Sequence, residues 1–226
     1  MVKSFAKGIN LVLGNLLRKK HVFIGNSLDF LTRERRIDKN YFDYIRIATL
    51  ELVSSEIRKK GIQGNVAELG VYKGKFARYI NEYFPDRTLY LFDTFKGFDE
   101  RDIEEEKQQR YSTGNQNFSD TSIQKVMDIM PHPANCKPIK GFFPEAAEGI
   151  EDKFVFVSLD TDLYAPIYNG LEFFYPRLSK GGYIFIHDFN NDAYKGARQA
   201  VEDFALKWNI NYTPIPDSCG TAVIAK

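Results

Sequence analysis

The stretch from Asn65 to Asp93 constrains the fold of this chain more than any other. NVAELG is a short run of strand formers. GKFARYINEYF then carries the apolar period of an amphipathic helix closed by Pro85, and TLYLFD is a second apolar strand. Strand, glycine turn, helix and strand within about thirty residues make a βαβ unit, which demands a parallel sheet and a right-handed crossover.

The rest of the chain repeats that alternation. Tyr41, Ile45, Ala48 and Leu52 recur at helical spacing and predict a helix over 40–60, stopped by Gly61 and Gly64. A helix is expected around SDTSIQKVMDIM with Ser119 as N-cap, a strand at CKPIK, and a strand at FVFVSL that reads as buried on both faces. A helix near Pro166, the strand GYIFIHD, and a helix with Ala197, Val201, Phe204 and Trp208 on one face follow, and NYTPIPDSCGTAVIAK reads as a closing hairpin. The predicted fold class is therefore α/β, a mostly parallel seven-stranded sheet with a C-terminal antiparallel hairpin and helices on both faces. Residues 99–118, DERDIEEEKQQRYSTGNQNF, are polar and without apolar period, and are expected to be a mobile loop, a lid over a ligand site or else a solvated insertion with no role.

In open sheets of this kind ligands bind beyond the carboxyl ends of the strands. Those ends carry Asp93, Asp160, and the pair His187 and Asp188. The first turn reads E-x-G-x-x-x-G, from Glu68 through Gly70 to Gly74, and lacks the middle glycine that a pyrophosphate requires. An acid at that strand end suits a ligand with a positive end and no phosphate. Asp93, nineteen residues beyond Gly74, is placed to accept from the two hydroxyls of a ribose. A nucleoside with a sulfonium, S-adenosylmethionine, meets both demands. The competing reading is that the glycines only permit close helix-to-sheet packing and that Glu68 is a surface acid.

The strand FVFVSL ends in Asp160 and Asp162, whose side chains share one side if the segment is extended. Two hard oxygen donors, with further acids on the neighbouring strand, suit magnesium. Adjacent residues of an extended strand face opposite sides, so His187 reads first as a ligand, with a hydrogen-bond donor beside the ligands and then a structural residue as the alternatives.

Lys and Arg number 31 against 30 Asp and Glu, so no global charge favours nucleic acid, and a small acceptor molecule fits better. Cys136 and Cys219 stand far apart without a CxxC pattern, which suggests reduced thiols and a cytoplasmic protein. No apolar run approaches the roughly 20 residues that span a bilayer. At 226 residues the chain accommodates one domain over 40–226 with an N-terminal segment, 1–39, expected to be helical and to pack on a second copy in a homo-oligomer.

Several separated blocks, VAELGVYKGKFARYINEYFPDRTLYLFDTFKGFDERD, IKGFFPEA, VSLDTDLYAPIYNGLEFFYPRLSKGGYIFIHDFNN and YKGARQAVEDF, resemble in order those of the macrocin-type O-methyltransferases, over roughly residues 40–226. That resemblance implies a class I methyltransferase fold, S-adenosylmethionine as cofactor, a divalent metal, magnesium or manganese, and the hydroxyl of a sugar on a natural product as acceptor. It puts Glu68, Gly70, Gly74, Asp93, Thr94, Gly141, Phe142 and Asp160 at cofactor positions. It gives Asp160 to the metal and Asp162 to the general base, with positions 187 and 188 completing the metal shell. Family members commonly carry two carboxylates there; His187 in place of the first favours manganese, iron or zinc. The rival functions are a glycosyltransferase, which also uses a metal-binding DxD after an apolar strand, and a non-catalytic protein that keeps the fold.

Overall fold

A computed structural model describes Gly8 and residues 43–226. The expected oligomer-forming segment 1–39 thus lies outside the described residues apart from Gly8, and so does Tyr41 of the first expected helix. That helix, α1, spans Tyr44–Lys59, capped by the Asp43 carboxylate, which accepts from the Arg46 amide. Its buried face matches the apolar spacing only in part, Ala48 being buried and Leu52 half-buried. Ile45 is exposed, whereas Arg46, Leu50, Val53 and Ile57 are buried in one stripe at i, i+4, i+7 and i+11.

Then follow β1 (Asn65–Leu69), α2 (Lys75–Tyr83) and β2 (Leu89–Asp93), the expected βαβ unit. The 99–118 segment is not the irregular loop expected, because Glu100–Gln109 form a helix, α3. Asp99 caps it by accepting from the Arg101 amide, and Glu, Lys, Gln and Arg fill it with good helix formers. Its buried side consists of Asp102 and Glu106, so apolar periodicity could not reveal it. The short helix α4 (Ile123–Met127) starts from Ser122 rather than Ser119; the Ser122 hydroxyl accepts from the Lys125 amide.

The remaining elements are β3 (Cys136–Lys140), β4 (Phe154–Leu159), α5 (Tyr164–Arg177), β5 (Leu178–Ile186), α6 (Lys195–Trp208), β6 (Thr213–Ile215) and β7 (Thr221–Ala225). The seven strands make one sheet in the order β3-β2-β1-β4-β5-β7-β6, parallel except where β7 runs antiparallel to β5 and β6. All six residues of β4 are buried, as its composition demands of a central strand. On one face the strand side chains Ala67, Leu69, Phe154 and Val157 pack with Leu171, Phe174, Val201 and Phe204 of α5 and α6. Each Val, Leu or Phe among them, fully buried, contributes about 1.5–3 kcal/mol. Pleat alternation turns Val66, Glu68 and, across the ladder, Ser158 to the opposite face, which α1 covers: Arg46 reaches Ser158 from there.

Strand order reverses between β1 and β4, and this is where an open sheet leaves a crevice at its carboxyl edge. Among the described residues, seven non-glycine residues have positive φ. Arg110 and Asn209 merely end helices. The other five, Tyr72, Phe95, Asp162, Asp188 and Cys219, all lie in loops on that one edge. Left-handed backbone at a non-glycine residue is costly and persists where the surroundings impose it.

Candidate active site

The crevice has two halves. After β1, Gly70 turns at φ 87°, and any Cβ there would collide with the backbone carbonyl of Asp160. The two loops touch because the Asp160 amide donates to the Leu69 carbonyl at 2.8 Å, continuing the ladder one step beyond the strands. Gly74 is the N-cap of α2, and its missing Cβ makes room for Val126 and Met130. Asp93 at the end of β2 accepts from the amides of Val71 and Tyr72, both at 2.8 Å, through Oδ2, and from the amide of Phe95 at 2.6 Å through Oδ1. Three backbone donors fill three of the carboxylate's roughly four acceptor positions. Asp93 thus shapes the glycine turn and keeps capacity for one further hydroxyl rather than the two expected.

Thr94 is committed to its own turn, donating to the Gly97 carbonyl at 2.5 Å. The Gly141 amide donates to the Asp93 carbonyl at 3.1 Å, and the Phe142 ring lies 3.4 Å under the Arg101 guanidinium. Glu68 is not a surface acid: it is 1% exposed, burial pushes its carboxyl well above the ordinary range, and its Oε2 has no hydrogen-bond partner. A buried orphan acceptor is costly unless a donor reaches it, and an ammonium-bearing ligand is the kind that would.

The second half is made of charges. Asp160 Oδ2 accepts from Arg46 Nη1 at 2.9 Å, while Arg46 Nη2 donates to Ser158 Oγ at 3.0 Å and the guanidinium sits 3.8 Å from the Phe76 ring centre. His187 Nδ1 lies 3.2 Å from Asp160 Oδ1 and 2.9 Å from Asp188 Oδ2, and its Nε2 lies 2.9 Å from the Ser218 carbonyl. A carbonyl only accepts, so Nε2 carries a proton; Nδ1 faces two carboxylates and carries another. Burial and the Arg46 charge oppose that second proton, but Asp160 and the hydrogen bonds to both acids prevail and lift the imidazole to about 10. Conversely, burial would raise Asp160, yet His187 and Arg46 hold it well below the usual carboxylate range. Asp188 also accepts from Asn191 Nδ2 at 2.8 Å. Asp162 is pushed well upward, first by burial and then by the charges of Asp188 and Asp160, and it shares a hydrogen bond with Asp188.

The convergence of Asp160, Asp162, His187 and Asp188 is as the strand ends suggest, but its cause differs. Asp162 (φ 61°) and Asp188 (φ 59°) are left-handed, so neither pair follows the alternation of an extended strand, and His187 and Asp188 meet instead of facing apart. One ligand atom each from Asp160, His187 and Asp188 lies within 4.8 Å of the others, a donor set that fits a divalent cation. The Nε2–H bond to the Ser218 carbonyl fixes the tautomer in which Nδ1 becomes a ligand once it loses its proton.

Two participants were missed. Arg46 sits on the same helical stripe as Leu50, Val53 and Ile57, and that alignment was the available signal. Tyr194, buried just before α6, has its hydroxyl pushed up to about 12 by burial and by Asp162 and Asp188, and donates to Gln116 Oε1 at 2.8 Å. It stacks edge-on with Phe98, which meets Phe118, which meets Tyr72, so an aromatic wall closes the crevice beside the acids. No described helix is long and apolar enough to cross a membrane.

The profile of the family described as Macrocin-O-methyltransferase (TylF) matches residues 39–224. A curated relative from Streptomyces olivaceus, 8-demethyl-8-(2,3-dimethoxy-alpha-L-rhamnosyl)-tetracenomycin-C 4'-O-methyltransferase, is 26% identical over 190 residues, 79% of this chain and 71% of that protein. Among solved structures, the O-methyltransferase NovP superposes with a TM-score of 0.65 at 19% identity, over 80% of this chain and 79% of that one. CalS11, a calicheamicin methyltransferase, gives 0.64 at 17%, over 80% and 78%. These two likenesses are of fold, the Rossmann-like sheet of class I methyltransferases. With the family profile covering nearly the whole described domain, the chain belongs to the macrocin-O-methyltransferase (TylF) family and is an O-methyltransferase.

Proposed function

We propose that this enzyme moves a methyl group from S-adenosylmethionine to a hydroxyl of a sugar carried by a natural product, with a divalent cation seated on Asp160, His187 and Asp188. The observation that carries the reading is the contact of the Gly70 turn with the Asp160 loop, which sets a donor-shaped turn directly beside four converging ionisable groups. The sugar acceptor is supported by the relative whose name gives a rhamnosyl-bearing substrate.

In this reading Gly70 and Gly74 leave space along the turn, Asp93 offers its remaining acceptor position to a ribose hydroxyl, and Glu68 faces the donor's ammonium end. Thr94 follows β2 and Gly141 and Phe142 follow β3, on the same edge of the sheet, and would line the donor's side of the crevice. Asp162, two residues beyond Asp160 and hydrogen-bonded to Asp188, takes the proton of the acceptor hydroxyl in its ionised form, which a cation held by Asp160, His187 and Asp188 would favour by offsetting the acids that otherwise keep it protonated. The aromatic wall of Tyr72, Phe118, Phe98 and Tyr194 holds the acceptor and excludes water. When bound, the donor supplies a sulfonium methyl open to in-line attack, and the cation lowers the pKa of the hydroxyl it meets.

Titration calorimetry with S-adenosylmethionine and with sugar nucleotides, each with and without manganese, tests the reading. Binding of the sulfonium donor in the absence of any sugar nucleotide signal is the expected result. Metal-dependent binding of a nucleoside diphosphate sugar, with no response to the donor, would replace methyl transfer with glycosyl transfer.

A further inference from the structure

Glu106 is the fully buried acid on α3, 0% exposed, and nothing in the chemistry above uses it. Its Oε1 accepts from the backbone amide of Tyr164 at 2.6 Å, and its Oε2 accepts from the Ser112 hydroxyl at 2.6 Å. Tyr164 is the first residue of α5, whose own N-cap residue, Leu163, has no side chain able to cap. The first amides of a helix have no partner within the helix, and a carboxylate is favoured at that end. Glu106 therefore caps α5 from a segment far away in sequence, two residues beyond Asp162.

A second helix meets the same carboxylate. α6 begins at Lys195, its N-cap residue Tyr194 likewise gives no side-chain cap, and its second residue is Gly196. A Cβ on Gly196 would collide with Glu106 Oε1 and press on the Tyr164 amide. The α3 segment is also tied on by the Lys195 amide, which donates to the Tyr111 carbonyl at 3.3 Å, and by the Tyr111 ring, 5.4 Å from that of Tyr164. One buried side chain thus holds the start of the helix that follows Asp162 against the start of the helix that follows Tyr194.

We propose that Glu106 is a positioning residue for methyl transfer, which locks the 99–118 segment onto the loops carrying Asp162 and Tyr194 and so fixes the base against the acceptor. The inference rests on the methyl-transfer reading for its kinetic readout alone. The donor half of the crevice, at Gly70 and Asp93, is held by β1, β2 and the backbone hydrogen bonds of their turns. The 99–118 segment touches it through side-chain contacts, Arg101 over Phe142 and Phe118 against Tyr72, so the loss of Glu106 acts on turnover far more than on donor binding.

The test compares Glu106→Gln, which keeps an oxygen at the same reach, with Glu106→Asp, which keeps the charge but withdraws it by one methylene. The expected result for Glu106→Asp is a kcat lower by on the order of tenfold or more, since small misplacements of reacting groups have effects of that size or larger. Its donor Kd stays within about twofold, the change a remote site leaves. Amide hydrogen exchange should quicken at 164–167 and over α3 in Glu106→Asp and stay near wild type in Glu106→Gln, which also retains most of kcat. Wild-type turnover in both variants overturns the inference, as does an equal kcat loss in both, or a loss of donor binding in step with kcat. Absence of methyl transfer by the wild-type enzyme to every acceptor would instead fail the functional reading, and the exchange pattern would still decide the role of Glu106.

Discussion

The two halves of the crevice are built in opposite ways. After β1 and β2 the turn is shaped by backbone: Gly70 lies against the Asp160 carbonyl, and Asp93 gathers the amides of Val71, Tyr72 and Phe95. After β4 and β5 the loops are shaped by charge, with Arg46 and His187 set against Asp160 and Asp188, and Asp162 pressed toward its protonated form. Geometry made from backbone amides and glycine tolerates a change of charge but not added volume. An arrangement of buried charges tolerates volume better than the loss of one partner, because the remaining charge stays out of water.

That contrast breaks most sharply at Arg46. Replacing it with Met keeps volume beside Phe76 but leaves Asp160 without the guanidinium, and the expected loss of stability is about 3–5 kcal/mol, read by urea unfolding. A loss below about 1 kcal/mol, the size of an exposed pair, would mean that the charges there do not hold the site together. In the backbone half the matching change is Gly70→Ala. Its Cβ has no room, so the donor Kd should weaken at least about tenfold, or roughly 1.4 kcal/mol, in calorimetry. An unchanged Kd would show that this turn does not meet the donor.

The smallest expected effect lies outside both halves and isolates what an unpaired buried acid does. Asp102 on α3 is raised from its ordinary 3.8 to about 7 by burial, then by the charge of Asp99, against the pull of Arg101. Between those two values the folded chain holds a proton that the unfolded chain has lost, so stability falls as pH rises through that window and the deficit is complete above about 7. Asp102→Asn should therefore raise Tm at pH 8 by at least about 2–4 °C, the shift that about 1 kcal/mol gives in a chain of this size, and leave it nearly unchanged at pH 3. Equal shifts at both pH values would exclude the titration of Asp102 as the cause.

The same contrast explains what could be read from the residues alone. Strands such as FVFVSL and TLYLFD declare themselves by apolar runs, the glycines of the first turn by their spacing, and the acids of the rim by standing where those runs stop. The family profile agrees with the blocks that resembled it. Arg46, Glu106 and α3 were hidden for one physical reason: a charged side chain counts as solvent-facing in any apolar pattern, and here charged side chains lie among the buried residues of α1 and make the whole buried side of α3. The left-handed turns at Asp162 and Asp188 were hidden because neither residue is glycine, so the chain gives no local sign of them.

The central claim is that Asp162 removes the acceptor proton in a methyl transfer from S-adenosylmethionine. It is tested most directly by the transfer of isotopically labelled methyl from that donor to a panel of glycosylated natural products, by the wild-type enzyme and by Asp162→Asn side by side. The account predicts label on a sugar oxygen with the wild type, and a kcat lower by about 10²–10⁴-fold in Asp162→Asn while donor binding is retained. Full turnover by Asp162→Asn, or wild-type label recovered on the aglycone instead of the sugar, would contradict it.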